Sequence, residues 1–367
     1  MGQRNVVLLD KGELGEGATA KTGAILRHHY SNEVTIRMTS ISREILENSE
    51  EEIGERVKWV MTGMLILAEE DTDKPMRENI ALHKSVGIDV DIISPEEVRK
   101  IYPEMNFHGI TSIAHERKAG YTDSHELVQA YAKAARNRGA EIIPNTAVTD
   151  IRAEGGEIQS VVTDKGEIKT STVVIAAGPW AKKVGMMAGV DLPISNHSPL
   201  KMVYFQPTFH YEESKALVLD WHNVVVFRPD TGGIIMANSE FEIPGEFDPD
   251  DYDESVEFEV VSETAEKMVD RYPPFKDAGY IRGHTGIDGV SPDFHPIIGR
   301  VPEVDGLYCD VAGGYHSFKL APAIGRLMAE LIVDGKASTL NIDQLSIDRF
   351  KTGKLMKGKY EKFKLFC

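Results

Sequence analysis

The most regular pattern of apolar and polar positions in this 367-residue chain lies between residues 307 and 335. Apolar residues predict a strand at 307–312, and a glycine-containing turn follows it. Beyond the turn, apolar residues recur at helical spacing as far as Gly335, which suits a left-handed helix cap; they are Leu320, Ile324, Leu327, Met328, Leu331 and Ile332. The start of this helix, with the charge of Lys319, favours an anionic or electron-rich ligand edge above the turn.

The rest of the chain alternates between predicted helices and predicted strands. An amphipathic helix is predicted at 31–51, and Asp123 caps another helix that Gly139 ends. Ser94 and Glu97 form a capping box around a proline and mark a third helix start. Strands are predicted at 5–10, 61–68, 140–148, 151–162, 172–176, 200–207, 223–230 and 232–240.

Composition narrows the class of protein. Apolar residues make up 41% of the chain, enough for a large core in one large or two interleaved domains. The sequence has neither an apolar run of about eighteen residues nor a signal-like N-terminus, so a soluble, cytoplasmic protein is expected. The net charge of −17 disfavours nucleic acid as a partner. Cys309 and Cys367 provide neither a disulfide framework nor metal-ligand spacing, and no metal site is expected.

Four short motifs stand in a fixed order along the chain. An apolar strand ends in Asp10, and the strand at 172–176 runs into the sequence AGPW at 177–180. SPD at 291–293 precedes PIIG at 296–299, and the last turn holds Phe318 and Lys319. In this order the motifs resemble the D-amino-acid-oxidase-like FAD-dependent oxidoreductases. Within them, the chain is most similar to the branch of sarcosine oxidase, dimethylglycine dehydrogenase and dye-linked proline dehydrogenase, over residues 5 to about 335.

The resemblance implies an α/β fold with two discontinuous domains. A Rossmann-like FAD-binding domain is expected at 1–45, 118–198 and 281–340. An α+β substrate domain with a mixed antiparallel sheet is expected at 46–117 and 199–280, and residues 341–367 form a basic C-terminal tail. The first strand of the FAD-binding domain and its G-x-G-x-x-G turn are absent before Asp10. We therefore expect one of two things: the sequence is an N-terminally shortened version of a longer protein, or the protein has lost tight cofactor binding.

The resemblance also implies which residues hold the cofactor. Asp10 stands where an acid accepts hydrogen bonds from the adenosine ribose, and Val148 stands where the backbone touches the adenine. Gly286 aligns near a cysteine that binds flavin covalently in some members, so dissociable FAD is expected. The full set expected to contact FAD is Asp10, Lys11, Ala18, Thr19, Val148, Ala177, Gly178, Gly286, Gly313, Gly314, Tyr315, His316, Ser317 and Lys319.

Four residues are expected to act on the substrate. Arg27 falls on the arginine that holds the substrate carboxylate in the sarcosine oxidase branch, and its planar fork suits both carboxylate oxygens. Lys319 is expected to complete this clamp. His29 and His316 are each either an acceptor of the amine proton or a hydrogen-bonded structural residue. The implied reaction oxidises a secondary or N-methyl amino acid, such as sarcosine or proline, to an imine by hydride transfer to flavin.

The electron acceptor and the partners are predicted from two further stretches. Oxidases of the sarcosine branch carry a lysine on the strand aligned with 233–237, and the aligned residue here is Ile235. An apolar residue there favours a dehydrogenase that passes electrons to a carrier or a partner subunit. The basic tail alternates lysines and Arg349 with aromatic residues, and it is expected either to contact an acidic partner or a membrane surface or to lie in solvent.

Two other functions stay open at this point. FAD-dependent 2-hydroxyacid and glycerol-3-phosphate dehydrogenases share the fold and the Ala-Gly and Pro-Asp-type motifs. A cofactor-free subunit or an N-terminally truncated fragment is the other alternative, because the phosphate-binding turn is missing. Flavin absorbance of the purified protein separates the last alternative from the enzymes.

Overall fold

The computed structural model describes residues 5–239 and 246–360, apart from the side chains at 197–199 and 315. Within these ranges the strands are β1 (Val7–Leu9), β2 (Ile25–Leu26), β3 (Trp59–Met61), β4 (Met64–Ala68), β5 (Val90–Ile93), β6 (Ser112–Glu116), β7 (Gly120–Thr122), β8 (Glu141–Ile143), β9 (Val148–Glu154), β10 (Glu157–Thr163), β11 (Gly166–Lys169), β12 (Val173–Ile175), β13 (Ser195–Gln206), β14 (Leu217–Asp220), β15 (Val225–Asp230), β16 (Ile234–Asn238), β17 (Gly279–Val290), β18 (Ile297–Arg300) and β19 (Leu307–Val311).

The helices in the same ranges are α1 (Glu33–Glu47), α2 (Ser49–Glu52), α3 (Glu70–Ser85), α4 (Pro95–Val98), α5 (Ser124–Asn137), α6 (Ala181–Met187), α7 (Phe258–Arg271), α8 (Ser317–Asp334) and α9 (Asp348–Thr352). Short 3-10 turns lie at Ala18–Lys21, Gly178–Trp180, Thr231–Gly233, Pro273–Asp277, Gly314–His316 and Asp343–Leu345. Of the helices in the described ranges, none is both long enough and apolar enough to cross a membrane.

An eight-stranded mixed sheet forms the wall of one half of the molecule. Its strands follow the order β17-β13-β16-β15-β14-β4-β6-β5, and β14 runs parallel to β4 whereas the other neighbours are antiparallel. Successive side chains of a strand point to opposite faces. Phe205 and Ile235 belong to the face that packs with Met268 of α7, and Tyr204 and Met236 belong to the other face.

The other half carries smaller sheets and a helix pair. β1 pairs in parallel with β8, and β12, β19 and β18 form a separate three-stranded sheet. α8 packs against α1, where Leu320 and Leu327 meet Met38 in one buried cluster. Within the described residues no strand pairs with the second edge of β1 or β12, and apolar Leu8 and Val174 are 45% and 42% exposed there. The predicted α/β class, with a large mixed and mostly antiparallel sheet, is confirmed.

Several element boundaries differ from those predicted. The helix predicted at 31–51 is interrupted by Asn48, whose φ of −113° and ψ of 33° end α1 before α2 begins. The strand predicted at 140–148 is two strands, because Asn145 turns the chain with a φ of 52° between β8 and β9. The predicted domain boundaries at 198/199 and 280/281 fall inside β13 and β17. The two halves therefore share long strands, and the domain division stays a prediction.

The C-terminal segment, residues 346–360, is packed on the body of the protein. Arg349 is buried, and its Nε and Nη2 donate to Oδ2 and Oδ1 of Asp293 at 2.8 and 2.9 Å. The backbone N–H of Met356 donates to the same carboxylate at 3.1 Å. Tyr360 is buried with its ring centroid 4.9 Å from that of Trp221. Part of the expected basic tail is therefore packed on the protein itself, whereas Lys351, Lys354 and Lys357 are exposed and Lys362, Phe363 and Lys364 lie outside the described residues.

Candidate active site

Three segments that are distant in sequence meet around one cavity. They are the turn at Ala18–Lys21, the inner part of β17 and the start of α8. The residues lining the cavity are Ala18, Thr19, Lys21, Thr22, Leu200, Gly286, Ile287, Asp288, Gly314, Ser317 and Phe318. The structure thus brings together five residues that were predicted to hold the flavin: Ala18, Thr19, Gly286, Gly314 and Ser317.

Glycines allow the segments around this cavity to approach each other closely. A Cβ placed on Gly286 would lie 2.9 Å from the Cβ of Lys21, so a larger residue would push the two segments apart. Gly314 has a φ of 49°, in the left-handed region that favours glycine. Gly313 precedes it with a helical φ of −68°, but its added Cβ would collide with Oγ of Ser317. The turn before α8 therefore depends on its two glycines for different reasons.

Lys21 supplies a fixed positive charge at one side of the cavity. Its Nζ forms an ion pair with Glu254 and donates to the hydroxyl oxygen of Tyr252 at 2.8 Å. Its carbonyl oxygen lies 3.2 Å from Nε2 of His284. Partial burial lowers the pKa of Lys21, but the hydrogen bonds to Glu254 and Tyr252 outweigh it and raise the pKa above 10.5. The ammonium group therefore stays charged.

The ring of Tyr30 is the centre of a buried polar cluster. The Cζ atom of Arg27 lies 4.5 Å from the ring centroid, and Nζ of Lys319 lies 5.8 Å from it. Nδ1 of His316 lies 3.1 Å from the hydroxyl oxygen of Tyr30. Three of the residues predicted to act on the substrate therefore share one aromatic neighbour.

Burial lowers the pKa of the basic side chains in this cluster. Burial and the charge of Arg27 hold the pKa of Lys319 well below 10.5. Burial therefore disfavours the full positive charge that the sequence analysis gave to Lys319. Burial, with the charges of Lys319 and Arg27, likewise lowers the pKa of His316 well below 6.5. His29 is also fully buried, and burial lowers its pKa well below 6.5.

Hydrogen bonds hold the loop that carries Arg27 in place. Oε1 of Glu116 accepts hydrogen bonds from the backbone N–H and from Nδ1 of His28, both at 2.7 Å, and both side chains are buried. Nη1 of Arg27 donates to the carbonyl oxygen of His29. Nε2 of His29 lies 2.6 Å from the hydroxyl oxygen of Tyr360. The direction of the guanidinium group is therefore set by the protein alone.

The residues predicted for the adenosine end do not line this cavity. Oδ1 of Asp10 accepts a hydrogen bond from the backbone N–H of Gly12 at 3.0 Å, within its own turn. Nζ of Lys11 pairs with Asp250 at 2.6 Å and lies 4.0 Å from the ring centroid of Trp180. A cofactor contact of Asp10 or Lys11 stays a prediction.

Three further predicted cofactor residues lie in the half that carries the small sheets. Val148 begins β9, and Val148 and Ala177 pack against the same buried cluster. Gly178 follows with a φ of 50°, which favours glycine at the start of its 3-10 turn. Tyr315 lies in the turn before α8, and its side chain is outside the described residues. These assignments also stay predictions.

Ile235 does not face the cavity. It pairs with Phe205 across β13 and β16 and lies on the face of the sheet that packs against α7. The opposite face carries Leu200, which lines the cavity, together with Ile234 and Met236. Ile235 therefore does not share the cavity face of β16, on which Ile234, Met236 and Asn238 alternate.

Sequence reasoning missed three residues around the site. Tyr30 lies next to Arg27 and was passed over although it completes the run of polar residues in that loop. Asp288 lines the cavity, and an acid in the otherwise apolar stretch 286–290 was a usable signal. Tyr360 contacts His29 although the two residues are 331 positions apart, and no local sequence pattern predicts such a contact.

The lining of the cavity fits the flavin end of FAD in its chemistry. Glycines at 286 and 314 allow close approach of the backbone, and Lys21 with the start of α8 provides positive potential for an electron-rich ring edge. Ala18, Thr19, Gly286, Gly314 and Ser317 are the residues that would hold the ring there.

Comparisons with known proteins agree with this geometry. A model of the FAD dependent oxidoreductase family matches residues 2–331. Sarcosine oxidase subunit beta of Arthrobacter sp is 28% identical over 367 residues, which cover 97% of this chain and 87% of that protein. Mitochondrial sarcosine dehydrogenase of Mus musculus is 27% identical over 352 residues, which cover 92% of this chain and 38% of that protein.

A solved structure is similar over the same range. The crystal structure of L-proline dehydrogenase from P. horikoshii matches with a TM-score of 0.86 and 28% identity, covering 96% of this chain and 92% of that chain. The family model spans both the small sheets and the eight-stranded sheet around the cavity. The chain therefore belongs to the FAD dependent oxidoreductase family.

Proposed function

We propose that this protein is a dehydrogenase that oxidises a secondary or N-methyl amino acid to an imine, with FAD as its cofactor. The observation that carries the proposal is the meeting of Arg27 and Lys319 at the ring of Tyr30, next to the cavity residues Ser317 and Phe318. The names of the relatives support the substrate class, since sarcosine and L-proline are both secondary amino acids.

Arg27 and Lys319 are suited to hold the substrate carboxylate. The guanidinium of Arg27 is fixed by its bond to the carbonyl of His29, so it offers a directed pair of donors. A carboxylate within about 4–6 Å of Lys319 would favour the charged form and offset the burial that lowers its pKa. Substrate binding would thus restore the charge of Lys319, and the two cations would act together only when the carboxylate is present.

Bound FAD supplies the hydride acceptor. The role of the chain is to orient the substrate, because a carboxylate held at Arg27 and Lys319 would keep the reacting C–H bond near the cavity that the neighbouring Ser317 and Phe318 line. The backbone N–H groups at the start of α8 favour negative charge that develops there during the reaction. Gly286 has no side chain with which to bond the cofactor, which supports FAD that dissociates.

The face of β16 that is turned to the cavity supports electron transfer to a carrier rather than to oxygen. Ile234 and Met236 occupy that face, and neither can supply the positive charge that helps oxygen accept electrons. A relative is named as the beta subunit of a sarcosine oxidase, which supports a partner subunit for this chain. We expect dye reduction to be much faster than peroxide formation.

Anaerobic reduction of the FAD-loaded protein tests the proposal. N-methylglycine or proline should bleach the flavin absorbance, whereas 2-hydroxyglutarate and glycerol 3-phosphate should leave it unchanged. Reduction by the hydroxy acids alone would replace the proposed function by that of a hydroxyacid dehydrogenase. Purified protein that retains no flavin after incubation with FAD would favour a cofactor-free subunit.

A further inference from the structure

Asp288 is an acidic residue in the wall of the cavity. It belongs to the inner part of β17, where its neighbours Ile287 and Gly289 are buried and Asp288 itself is half-buried. It lines the cavity beside Gly286, and the charge of Lys319 acts on its carboxyl group. A carboxylate at this place carries the opposite sign to the proposed carboxylate clamp. Asp288 and the clamp are therefore suited to the two opposite charges of a zwitterion.

The proposed oxidation requires a group that accepts a proton. A secondary amino acid reaches the site as an ammonium ion, since such amines resemble the lysine side chain, whose ordinary pKa is about 10.4. Hydride can leave the α carbon only when the nitrogen has a lone pair to form the C=N bond. The ammonium must therefore lose one proton inside the site before the C–H bond breaks.

The two histidines expected for this task are poorly suited to it. Burial lowers the pKa of both His29 and His316 well below 6.5, so neither holds a proton readily. Each also has a tyrosine hydroxyl as neighbour, from Tyr360 for His29 and from Tyr30 for His316. Their place in the structure is that of neutral, hydrogen-bonded residues.

We propose that Asp288 binds the substrate ammonium group and accepts its proton before hydride transfer. This inference rests on the proposed oxidation of an amino acid and adds a residue to it. The ammonium R₂NH₂⁺ and the Asp288 carboxylate become the neutral amine R₂NH and a carboxylic acid. The C–H bond of the α carbon then breaks, its electron pair leaves as hydride to FAD, and the nitrogen lone pair forms the C=N bond. Asp288 returns its proton to water after the product leaves.

The charges around Asp288 are consistent with this role. Burial raises the pKa of Asp288 to about 6, and the charge of Lys319 opposes the shift. Lys21, which pairs with Glu254, also lines the cavity, and the charge of Arg27 acts on Lys319. The charge of Lys319 in turn acts on His316, whose pKa is lowered mainly by burial. At neutral pH the carboxylate is therefore ionised, yet basic enough to receive a proton near the pH at which an acid–base catalyst works best.

The rate of flavin reduction in the FAD-loaded full chain provides the first test. With N-methylglycine, wild type should slow as the pH falls below about 6, because Asp288 becomes protonated. Asp288→Asn should react about 100-fold or more slowly at neutral pH. Its rate should then rise about tenfold per pH unit, because only the amine that is already neutral reacts. Asp288→Glu, which keeps a carboxylate, should restore the wild-type pH profile at a lower rate.

Asp310 is the matched control. Burial also raises its pKa to about 6, but it lies in β19 and does not line the cavity. Asp310→Asn should therefore keep the wild-type pH profile. Lys319 is the rival proton acceptor, because in its neutral form it could also take the proton of the substrate ammonium group. Lys319→Met tests this alternative. If Lys319→Met shows the tenfold rise per pH unit and Asp288→Asn does not, the proposal is overturned.

Binding of unreactive ligands tests Asp288 without turnover. The probes are 2-aminoisobutyrate, whose α carbon carries no hydrogen, and isobutyrate, which lacks the ammonium group; both are followed by the change in flavin absorbance. Asp288→Asn should weaken 2-aminoisobutyrate about tenfold or more and leave isobutyrate no weaker, because a charge-assisted hydrogen bond is lost. Equal effects on the two ligands, or none, would refute the inference. Wild-type flavin that no amino acid reduces would instead remove the proposed function itself.

Discussion

Removing the guanidinium of Arg349 should destabilise the protein more than most single substitutions. Arg349 makes two bonds to Asp293 and donates to the carbonyl oxygens of Leu345 and His295 at 2.7 and 2.8 Å. The side chains of Arg349 and Asp293 are 3% and 2% exposed, so water does not replace what is lost. In Arg349→Met the carboxylate keeps the donors Ser291 Oγ and Met356 N–H but has no cation.

The expected loss is about 3–5 kcal/mol in the free energy of unfolding, because one partner of a buried pair is left uncompensated. Urea titrations followed by tryptophan fluorescence measure it. The control is Arg117→Met, since Arg117 also contacts two carboxylates, Asp89 and Asp91 at 2.7 and 2.9 Å, but is 40% exposed. That surface variant should lose no more than about 1 kcal/mol. Equal losses for the two variants would refute the reasoning from burial.

The same pair predicts a dependence on pH. Burial pushes the pKa of Asp293 upward, but the bonds from Arg349 and its other donors outweigh this and hold it below 3.8. A carboxyl group with a depressed pKa contributes stability above its unfolded pKa and loses it as the pH falls through the folded pKa. The deficit of Arg349→Met should therefore shrink in acid, where Asp293 is protonated. A deficit that stays constant down to the acid transition would contradict the ion pair.

Three further outcomes follow from the site. Arg27→Lys should lower kcat/KM for N-methylglycine about tenfold to hundredfold, because one ammonium cannot replace a directed guanidinium, while dimethylamine, which has no carboxylate, should be affected little. Acid precipitation should leave all the FAD in the supernatant, because Gly286 offers no side chain to bond it; flavin that remains with the pellet would contradict this. Met236→Lys should raise the rate of peroxide formation relative to dye reduction, and an unchanged ratio would show that charge on that face does not decide the acceptor.

The sequence was sufficient where the signal is local. The strand, turn and helix from 307 to 335 appear as predicted, and Gly335 caps the helix with a φ of 78°. Apolar periodicity and a glycine cap depend only on residues that are close in sequence, so the sequence was enough to predict them. Gly314 was found for the same reason, whereas Gly286 was found through the family resemblance. Asp288 was within reach of local reasoning, as an acid in the otherwise apolar stretch 286–290.

Where the outcome depends on tertiary packing, sequence reasoning failed. The face of Ile235 was assigned wrongly because side chains alternate along a strand, so an error of one position moves a residue through the sheet. The low pKa of Lys319 depends on its burial beside Arg27, and these residues are far apart in the chain. The packing of Arg349 against Asp293 was hidden by the basic residues around it, whose composition is typical of an exposed tail.

The packed C-terminal segment also constrains the order of events during synthesis. His29 meets Tyr360 only after 331 further residues have been added, which takes about 15–65 s at ordinary rates of translation. Until then Tyr360 does not cover the loop that carries Arg27 or the ring of Trp221, both of which it contacts in the folded protein. The loop that carries Arg27 therefore gains its contact with Tyr360 only after residue 360 has left the ribosome.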